Sequence, residues 1–172
     1  MQIQTNKNGE LEVRTKKATI VFDHKTKVND VELEGAGEYE ISGVTIDGID
    51  DDIYIFQAED MILGSVNFKS KISKEHLEKL SNAEILIVRL DGDVSKAVEQ
   101  ANQIEPNILV YAGNSGAKSK IKLSGATVAD KESLKIAKAD IGESQAYFIT
   151  LRQNIPQPAA GTNGKDDAPK LY

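Results

Sequence analysis

The chain of 172 residues contains no cysteine and only two histidines, His24 and His76. The absence of cysteine excludes disulfides, thiolate metal sites and cysteine nucleophiles, and it is compatible with a reducing cytoplasm. No apolar run approaches the ~18–20 residues that a membrane-spanning helix needs. The first residues, Met1 to Asn6, lack the charged segment and apolar run of a secretory signal. We therefore predict a cytoplasmic protein with no membrane partner.

Clustered positive charge is also missing, and the net charge is −6. The arginines are Arg14, Arg89 and Arg152, and the lysines stand in small groups without stacking aromatic residues between them. Neutralising the phosphates of a nucleic acid requires clustered Lys and Arg side chains. Scattered groups of this kind are typical of solvated faces, so no nucleic-acid partner is predicted.

The residues that are present give an ordinary globular composition, with 40% hydrophobic and 28% charged residues. A chain of this length can form one domain with a single sizeable core. From Gln153 onward the sequence turns to Pro, Ala, Gly, Asn and Asp with almost no large apolar residue. We predict one domain over residues 1–152 and a flexible C-terminal tail over residues 153–172.

The first half of the domain has the patterns of short β-strands. The predicted strands are Glu10–Arg14, Ala18–Phe22, Tyr39–Ser42, Val44–Ile49, Asp52–Phe56 and Met61–Val66. Asn8-Gly9 and Glu59-Asp60 supply turns between strands. Strands that follow one another so closely predict a meander.

The second half adds a strand–helix–strand unit. Ile85–Val88 and Ile108–Tyr111 are continuously apolar, which is typical of strands covered on both faces. Between them, Asp93 is predicted to cap a helix whose apolar residues recur at the 3.6-residue period. Glu105-Pro106 ends this helix, because the residue before proline is pushed out of the α region. A shorter helix is predicted to begin after Ser73, a second N-cap residue.

Beyond Ala112 the pattern weakens. Gly113–Gly116 is predicted to be a loop, and three closing strands are predicted at Ala126–Ala129, Leu134–Ala137 and Gln145–Leu151. The loop does not match a phosphate-binding loop, because Lys118 stands two residues after the last glycine instead of directly after it. No nucleotide cofactor is therefore predicted.

Three segments resemble the metallo-β-lactamase-fold hydrolases, especially their metal-dependent hydrolase branch. Gly35–Val44 resembles the glycine-rich hairpin GPGEYEVKGV of that branch, and Asn102–Pro106 is similar to its helix end before a core strand. Lys71–Leu80 resembles a family helix of the type KLTEEQLEEL. The resemblance spans Gly35 to Tyr111, with a weaker extension over Leu11 to Asp23. It implies an α/β fold of the αββα type, here a truncated, β-rich sandwich of two sheets with few flanking helices.

The resemblance also implies where a metal centre would lie. Family members hold one or two metals at one end of the sheets with a His-x-His-x-Asp-His loop, a later His, a bridging Asp and a final His. These ligands leave a position for a water, whose pKa falls to ~7 on zinc. The loop would lie between Asp23 and Gly35, where too few residues remain to form it. The later His and the bridging Asp align with Ile62 and Ser65, and the final His is replaced by Gly113 or a neighbour.

These substitutions predict no catalytic residue, no metal ligand and no cofactor. They do predict a vestigial pocket at the ends of the sheets. Its expected residues are Ser65, Asp91, Asp93, Asn114 and Ser115, which stand at the aligned ligand position or just after a core strand.

Two further groups have simple interpretations. His24 follows a strand end and is interpreted as a polar loop histidine, although a lone acid or base there is an alternative. His76 is expected to be solvated at the start of the first helix. Asp47 with Asp50–Asp52 is interpreted as a solvated acidic turn, because the spacing matches no ion-binding loop; a Ca²⁺ or Mg²⁺ site is the alternative.

The preferred functional hypothesis is a catalytically inactive member of the fold that acts as a binding or assembly module. Loss of the metal loop would expose the sheet ends to a protein partner or to a second copy of the chain. The alternative is a hydrolase with an unrecognised carboxylate-based metal site around Asp91 and Asp93. Convergence of these two carboxylates on one pocket would favour the alternative.

Overall fold

The computed structural model describes residues 1–69, 72–123 and 127–152. These residues form two facing β-sheets and three α-helices. The first sheet has six strands, in spatial order Ser133–Lys135 (β13), Gln2–Thr5 (β1), Leu11–Arg14 (β2), Thr19–Phe22 (β3), Thr26–Val28 (β4) and Val31–Glu32 (β5). The second has eight, in spatial order Ala129–Asp130 (β12), Gln145–Thr150 (β14), Ile108–Gly113 (β11), Ile85–Arg89 (β10), Met61–Asn67 (β9), Ile53–Ala58 (β8), Val44–Asp50 (β7) and Gly37–Ile41 (β6). The helices are Lys74–Leu80 (α1), Val94–Ile104 (α2) and Ser115–Leu123 (α3).

A first core fills the gap between the sheets, because alternate residues of each strand point into it. Ile3, Val13 and Ile20 of the first sheet are fully buried there, as are Ile85 and Ile87 of the second. The apolar alternation that predicted these strands is therefore the alternation that builds the sandwich. The last inward-facing residues of these strands lie at the edge of the space between the two sheets.

The outer face of the first sheet is polar and hydrogen-bonded. Gln4 Nε2 and Arg14 Nε both donate to Glu12 Oε2, at 3.0 and 2.6 Å. Gln2 Nε2 donates to Ser133 Oγ at 2.7 Å. An antiparallel sheet with one polar face can meet water directly, so this face needs no apolar cover.

The second sheet combines an antiparallel meander, β6 to β9, with parallel pairing of β9, β10, β11, β14 and β12. All five residues of β10 are buried, which confirms the prediction of a strand covered on both faces. A second core lies on the face turned away from the first sheet. It includes Leu80 of α1, Ala97 and Ala101 of α2, and Ile121 of α3.

The helices therefore flank one sheet only among the described residues. The molecule is β-rich and has two sheets, as expected, but the αββα arrangement is only half present. The physical reason is the mostly polar outer face of the first sheet, which offers an amphipathic helix little apolar surface to cover. Both predicted N-caps are confirmed: Ser73 Oγ accepts from the His76 amide at 3.1 Å, and Asp93 Oδ1 accepts from the Lys96 amide at 3.1 Å.

The prediction of a loop over Gly113–Gly116 is wrong. Gly113 is the last residue of β11, and Asn114 Oδ1 accepts from the Ala117 amide at 2.9 Å, which caps α3. The helix escaped prediction because only Ala117 and Ile121 on it are buried, too few to give a clear period. The end of α2 is confirmed at Glu105, which leaves the right-handed region for left-handed angles of φ 55° and ψ 53°.

Three strands were not predicted, namely β1, β4 and β5, which have four residues or fewer. β4 and β5 form a hairpin whose two turn residues, Asn29 and Asp30, have φ of 48° and 69°. Two consecutive positive φ angles are typical of the type I′ turn that matches the twist of paired strands. This hairpin occupies the segment in which the resemblance would place the metal-binding loop.

Some expectations concern residues that the structure leaves out. The tail predicted over residues 153–172 and Ala126 of the predicted strand Ala126–Ala129 lie outside the described residues. Within the described ranges, no helix combines the length and apolar character needed to cross a membrane.

Glu84 joins the start of β10 to the edge of the sandwich. Its carboxylate accepts from Lys138 Nζ at 2.6 Å and from the Ile62 amide at 2.9 Å. The hydrogen bond from Lys138 is the main reason that the pKa of Glu84 lies below its usual 4.5. A carboxylate with a lowered pKa stabilises the fold above its unfolded pKa, and this contribution is lost as pH falls through the folded pKa.

We expect Glu84→Gln to lower the free energy of unfolding by about 0.5–1 kcal/mol at pH 7, because the ion pair is partly exposed. The difference from the parent chain should be smaller at pH 3, because the contribution of the carboxylate is lost as pH falls through its lowered pKa. Urea denaturation at both pH values measures this. Glu99→Gln on the exposed side of α2 is the control, and an unchanged gap at pH 3 would contradict the assignment.

Candidate functional site

A cavity of about 360 Å³ opens at one end of the gap between the sheets. It lies where β9 and β10 of the second sheet end and where the turn after β3 of the first sheet meets them. Its floor consists of the buried residues Phe22, Thr26, Asn67 and Arg89. Its rim carries mostly charged side chains, namely Glu10, Asp23, His24, Asp51, Asp52, Lys69, Asp91 and Arg152. A polar pocket at the carboxyl ends of parallel strands is a common place for ligands.

Arg89 is the central feature of the floor. Ile85 and Ile87 of β10 point into the inter-sheet core, so the period of two directs Arg89 the same way. Only 9% of its surface is exposed, and its guanidinium carbon lies 5.4 Å from the centre of the Phe22 ring. Nε is buried without a hydrogen-bond partner, and no carboxylate of the described residues lies within 4.0 Å of the guanidinium nitrogens.

The electrostatic state of Arg89 follows from this burial. Loss of water lowers the pKa of the guanidinium from its usual value, while the negative charges of Asp91 and Asp52 act in the opposite direction. A guanidinium nevertheless stays charged in proteins. The floor of the pocket therefore holds a buried cation whose counter-charges stand at a distance.

Asn67 lies next to Arg89, since the two residues are partners in the parallel pairing of β9 with β10. Asn67 Nδ2 donates to Asp91 Oδ2 at 2.7 Å, but the buried Asn67 Oδ1 accepts no hydrogen bond. Two residues earlier on the same row, Ser65 is fully buried and its Oγ also has no partner. Three buried polar atoms without partners in one region are unusual, because such atoms are normally satisfied.

The rim carboxylates are already engaged or point to solvent. Asp52 lies 3.3 Å from Lys69 Nζ, and Asp91 accepts from Asn67. Asp23 and His24 are exposed at the mouth. Across the part of the chain that the structure describes, no three His, Asp or Glu side chains are grouped so that they could hold a metal ion.

Of the five predicted pocket residues, the structure brings two to this region. Asp91 lines the cavity, and Ser65 lies on the inward row of β9 that ends at Asn67. Asp93 caps α2, Asn114 caps α3, and Ser115 is the first residue of that helix. Asp91 and Asp93 therefore do not converge on one pocket.

The other singled-out residues are also placed. His24 lines the cavity mouth, whereas His76 lies on α1 with Nδ1 3.9 Å from Asp50 Oδ2. Asp50 Oδ1 accepts from the amide of Asp52, so the acidic turn is held by its own hydrogen bond.

The sequence reasoning missed two residues of the candidate site, Arg89 and Asn67. A signal was present in the sequence. Each is a polar residue two positions after an inward-facing residue of its strand, so the alternation of the strand directs it towards the gap between the sheets. Arg89 directly follows the apolar run Ile85–Val88. A charged residue in that position is either buried with the strand or marks the point at which the strand reaches solvent.

No family model, curated protein or solved structure matches this chain. A larger groove of about 910 Å³ lies between α2 and β14, but none of the described polar side chains that line it is buried. The pocket at Arg89 is smaller and carries the unpartnered polar atoms, so it is the better candidate.

We expect Ser65→Ala to raise the free energy of unfolding by about 1 kcal/mol. The substitution removes a buried hydroxyl without a partner, and an unsatisfied buried group costs about 1–3 kcal/mol. Chemical denaturation measures the change. Ser81→Ala, which removes an exposed hydroxyl that donates to the Glu78 carbonyl at 2.6 Å, should be neutral or slightly destabilising. A clear loss of stability in Ser65→Ala would show that the hydroxyl has a partner in solution.

Proposed function

We propose that this chain is a non-hydrolytic protein of the metallo-β-lactamase-like fold that acts as a binding module. The two-sheet sandwich and the pocket at the ends of its parallel strands are what the resemblance implies. Ser65, at the position of the bridging Asp, and the β4–β5 hairpin, in place of the metal loop, support the same interpretation.

The observation that carries the proposal is the buried guanidinium of Arg89. A dication held ~5 Å from a guanidinium is repelled by on the order of 6 kcal/mol at an effective dielectric constant of ~20. A hydrolytic zinc centre also needs several imidazole or carboxylate ligands around an open position. The pocket supplies one exposed histidine, and its carboxylates either have other partners, as Asp52 and Asp91 do, or are exposed, as Asp23 and Asp51 are, so its residues do not fit such a metal.

The alternative function, a hydrolase with a carboxylate-based metal site, has one observation in its favour. Asp52, Asp91 and His24 line the same cavity. Against it, Asp52 pairs with Lys69, Asp91 accepts from Asn67, and Asp93 points to the start of α2.

The test is equilibrium dialysis of the purified chain against Zn²⁺ and Mn²⁺, followed by elemental analysis. Hydrolysis of nitrocefin, 4-nitrophenyl phosphate and bis(4-nitrophenyl) phosphate is measured on the dialysed protein. We expect well under one metal per chain and no hydrolysis above the buffer rate. One bound metal per chain that is lost in Asp91→Asn, together with hydrolysis, would establish the alternative.

A homo-oligomer or a protein partner remains a separate prediction for this module. Size-exclusion chromatography with light scattering measures the first of these directly. A mass of 18.7 kDa would correspond to the single chain.

A further inference from the structure

The unpartnered atoms on the pocket floor define the kind of ligand that would complete it. Arg89 offers guanidinium donors, of which Nε is buried and unused. The planar fork of a guanidinium matches a carboxylate, with two parallel hydrogen bonds. The first requirement on the ligand is therefore a carboxylate or a similar acceptor at the floor.

The second requirement comes from Asn67, whose buried side-chain oxygen is an unused acceptor on the strand beside the unused Nε donor of Arg89. The two residues are register partners on neighbouring strands, which lie ~4.8 Å apart in a sheet. A ligand that serves both must carry an acceptor and a donor only a few bonds apart. A carboxylate next to an ammonium group has this arrangement.

The charge of the rim selects between anions. The cavity is lined by five carboxylates, those of Glu10, Asp23, Asp51, Asp52 and Asp91, against the three cations Lys69, Arg89 and Arg152. Their excess negative charge repels a dianion such as phosphate and attracts an ammonium group. A ligand without net charge can bring its carboxylate to the floor and leave its ammonium facing the carboxylates.

The size of the cavity sets an upper bound. About 360 Å³ holds roughly a dozen water-sized groups at ~30 Å³ each. A single amino acid fits within this volume, whereas a folded peptide segment does not.

We propose that the pocket floored by Arg89 and Asn67 binds a free α-amino acid. The carboxylate is held by Arg89, and the ammonium donates to Asn67 Oδ1 and faces Asp91. This inference rests on the proposed function, because a metal in the same cavity would take the place of the ligand.

The experiment begins with a thermal-shift screen of the common L-α-amino acids on the full chain, with inorganic phosphate beside them. The amino acid with the largest shift is then titrated by calorimetry, together with its amide, which lacks the carboxylate, and its desamino analogue, which lacks the ammonium. We expect both analogues to bind at least about tenfold more weakly, since each loses a charge-assisted hydrogen bond.

Variants then assign the two halves of the ligand. Arg89→Met should bind the amino acid at least about tenfold more weakly than the parent chain does. The affinity of Arg89→Lys should lie between those of Arg89→Met and the parent chain. Asn67→Ala should lower the affinity for the amino acid but leave the affinity for the desamino analogue unchanged. Arg14→Met on the polar face of the first sheet should bind as the parent does. A circular dichroism spectrum equal to that of the parent confirms that each variant is folded.

The outcomes separate this inference from the proposed function. No binding of any amino acid by a metal-free chain overturns the inference and leaves the non-hydrolytic assignment standing. Phosphate that binds more tightly than every amino acid, in an Arg89-dependent way, also overturns it. One metal per chain overturns both.

Discussion

Replacing Arg89 with methionine is expected to raise the free energy of unfolding of the ligand-free chain by about 1–3 kcal/mol. Replacement of buried ionic groups by apolar residues of similar volume is often neutral or stabilises a protein by about 1–4 kcal/mol. Part of this gain is offset, because the contact of the guanidinium with the Phe22 ring is lost, and such contacts contribute about 0.5–2 kcal/mol. The measurement is urea denaturation of both chains in buffer without small carboxylates.

The control is an arginine that does have a partner. Arg14 Nε lies 2.6 Å from Glu12 Oε2, and Glu12 is itself buried. Arg14→Met should therefore lower stability, by up to about 1 kcal/mol, the opposite sign from Arg89→Met. A loss of more than 1 kcal/mol in Arg89→Met would mean that this guanidinium is a structural element with its own partners, and the candidate site would lose its main support.

Gly48→Ala is expected to destabilise the chain by about 3–5 kcal/mol, the largest effect proposed. A Cβ on Gly48 of β7 would lie 2.2 Å from the carbonyl oxygen of Gly35 and 3.1 Å from Tyr54 Cε1. The Gly35 segment cannot retreat easily, because its amide donates to Tyr54 Oη at 3.0 Å and its carbonyl accepts from Tyr39 Oη at 3.2 Å. Thermal and urea unfolding measure the loss.

Gly142→Ala is the matched control for this substitution. A Cβ there would have no heavy atom within 4 Å, so the change should be neutral or slightly stabilising. If Gly48→Ala were equally neutral, the close packing of the Gly35 segment on β7 would be refuted. That segment also lies beside Asp51 of the pocket rim, so a folded Gly48→Ala chain should bind ligands more weakly.

Much of the second sheet could be predicted from local pattern. The continuous apolar run Ile85–Val88 and the 3.6-residue period after Asp93 both depend on neighbours close in sequence, and both correspond to observed elements. Helix α3 and the short strands β1, β4 and β5 could not, because their stability comes from partners far along the chain and their own residues give little period. The β4–β5 hairpin depends on two residues with positive φ, Asn29 and Asp30, which no hydrophobic pattern reveals.

The site was harder to predict than the fold. Ser65 was expected because it aligns with a metal-ligand position of the family. Asp91 was expected because it follows the end of a core strand. Asp93, Asn114 and Ser115 were expected for the same reason as Asp91. Asp93 instead caps α2, and Asn114 caps α3. Arg89 was overlooked because an arginine after an apolar run is usually interpreted as the solvated end of a strand. The alternation along β10 directs it inward, but only the register of β9 with β10 places it beside Asn67.

The first sheet is closed by a strand from the other end of the domain. Ile3 of β1 pairs with Leu134 of β13, and Gln2 reaches Ser133 across 131 positions of sequence. During synthesis, β1 to β5 therefore leave the ribosome long before their last neighbour exists, and the side chains that will fill the inter-sheet gap stay accessible to solvent. Contacts over such separations form slowly, so the appearance of β13, rather than growth of the first half of the domain, should set the moment at which the domain folds.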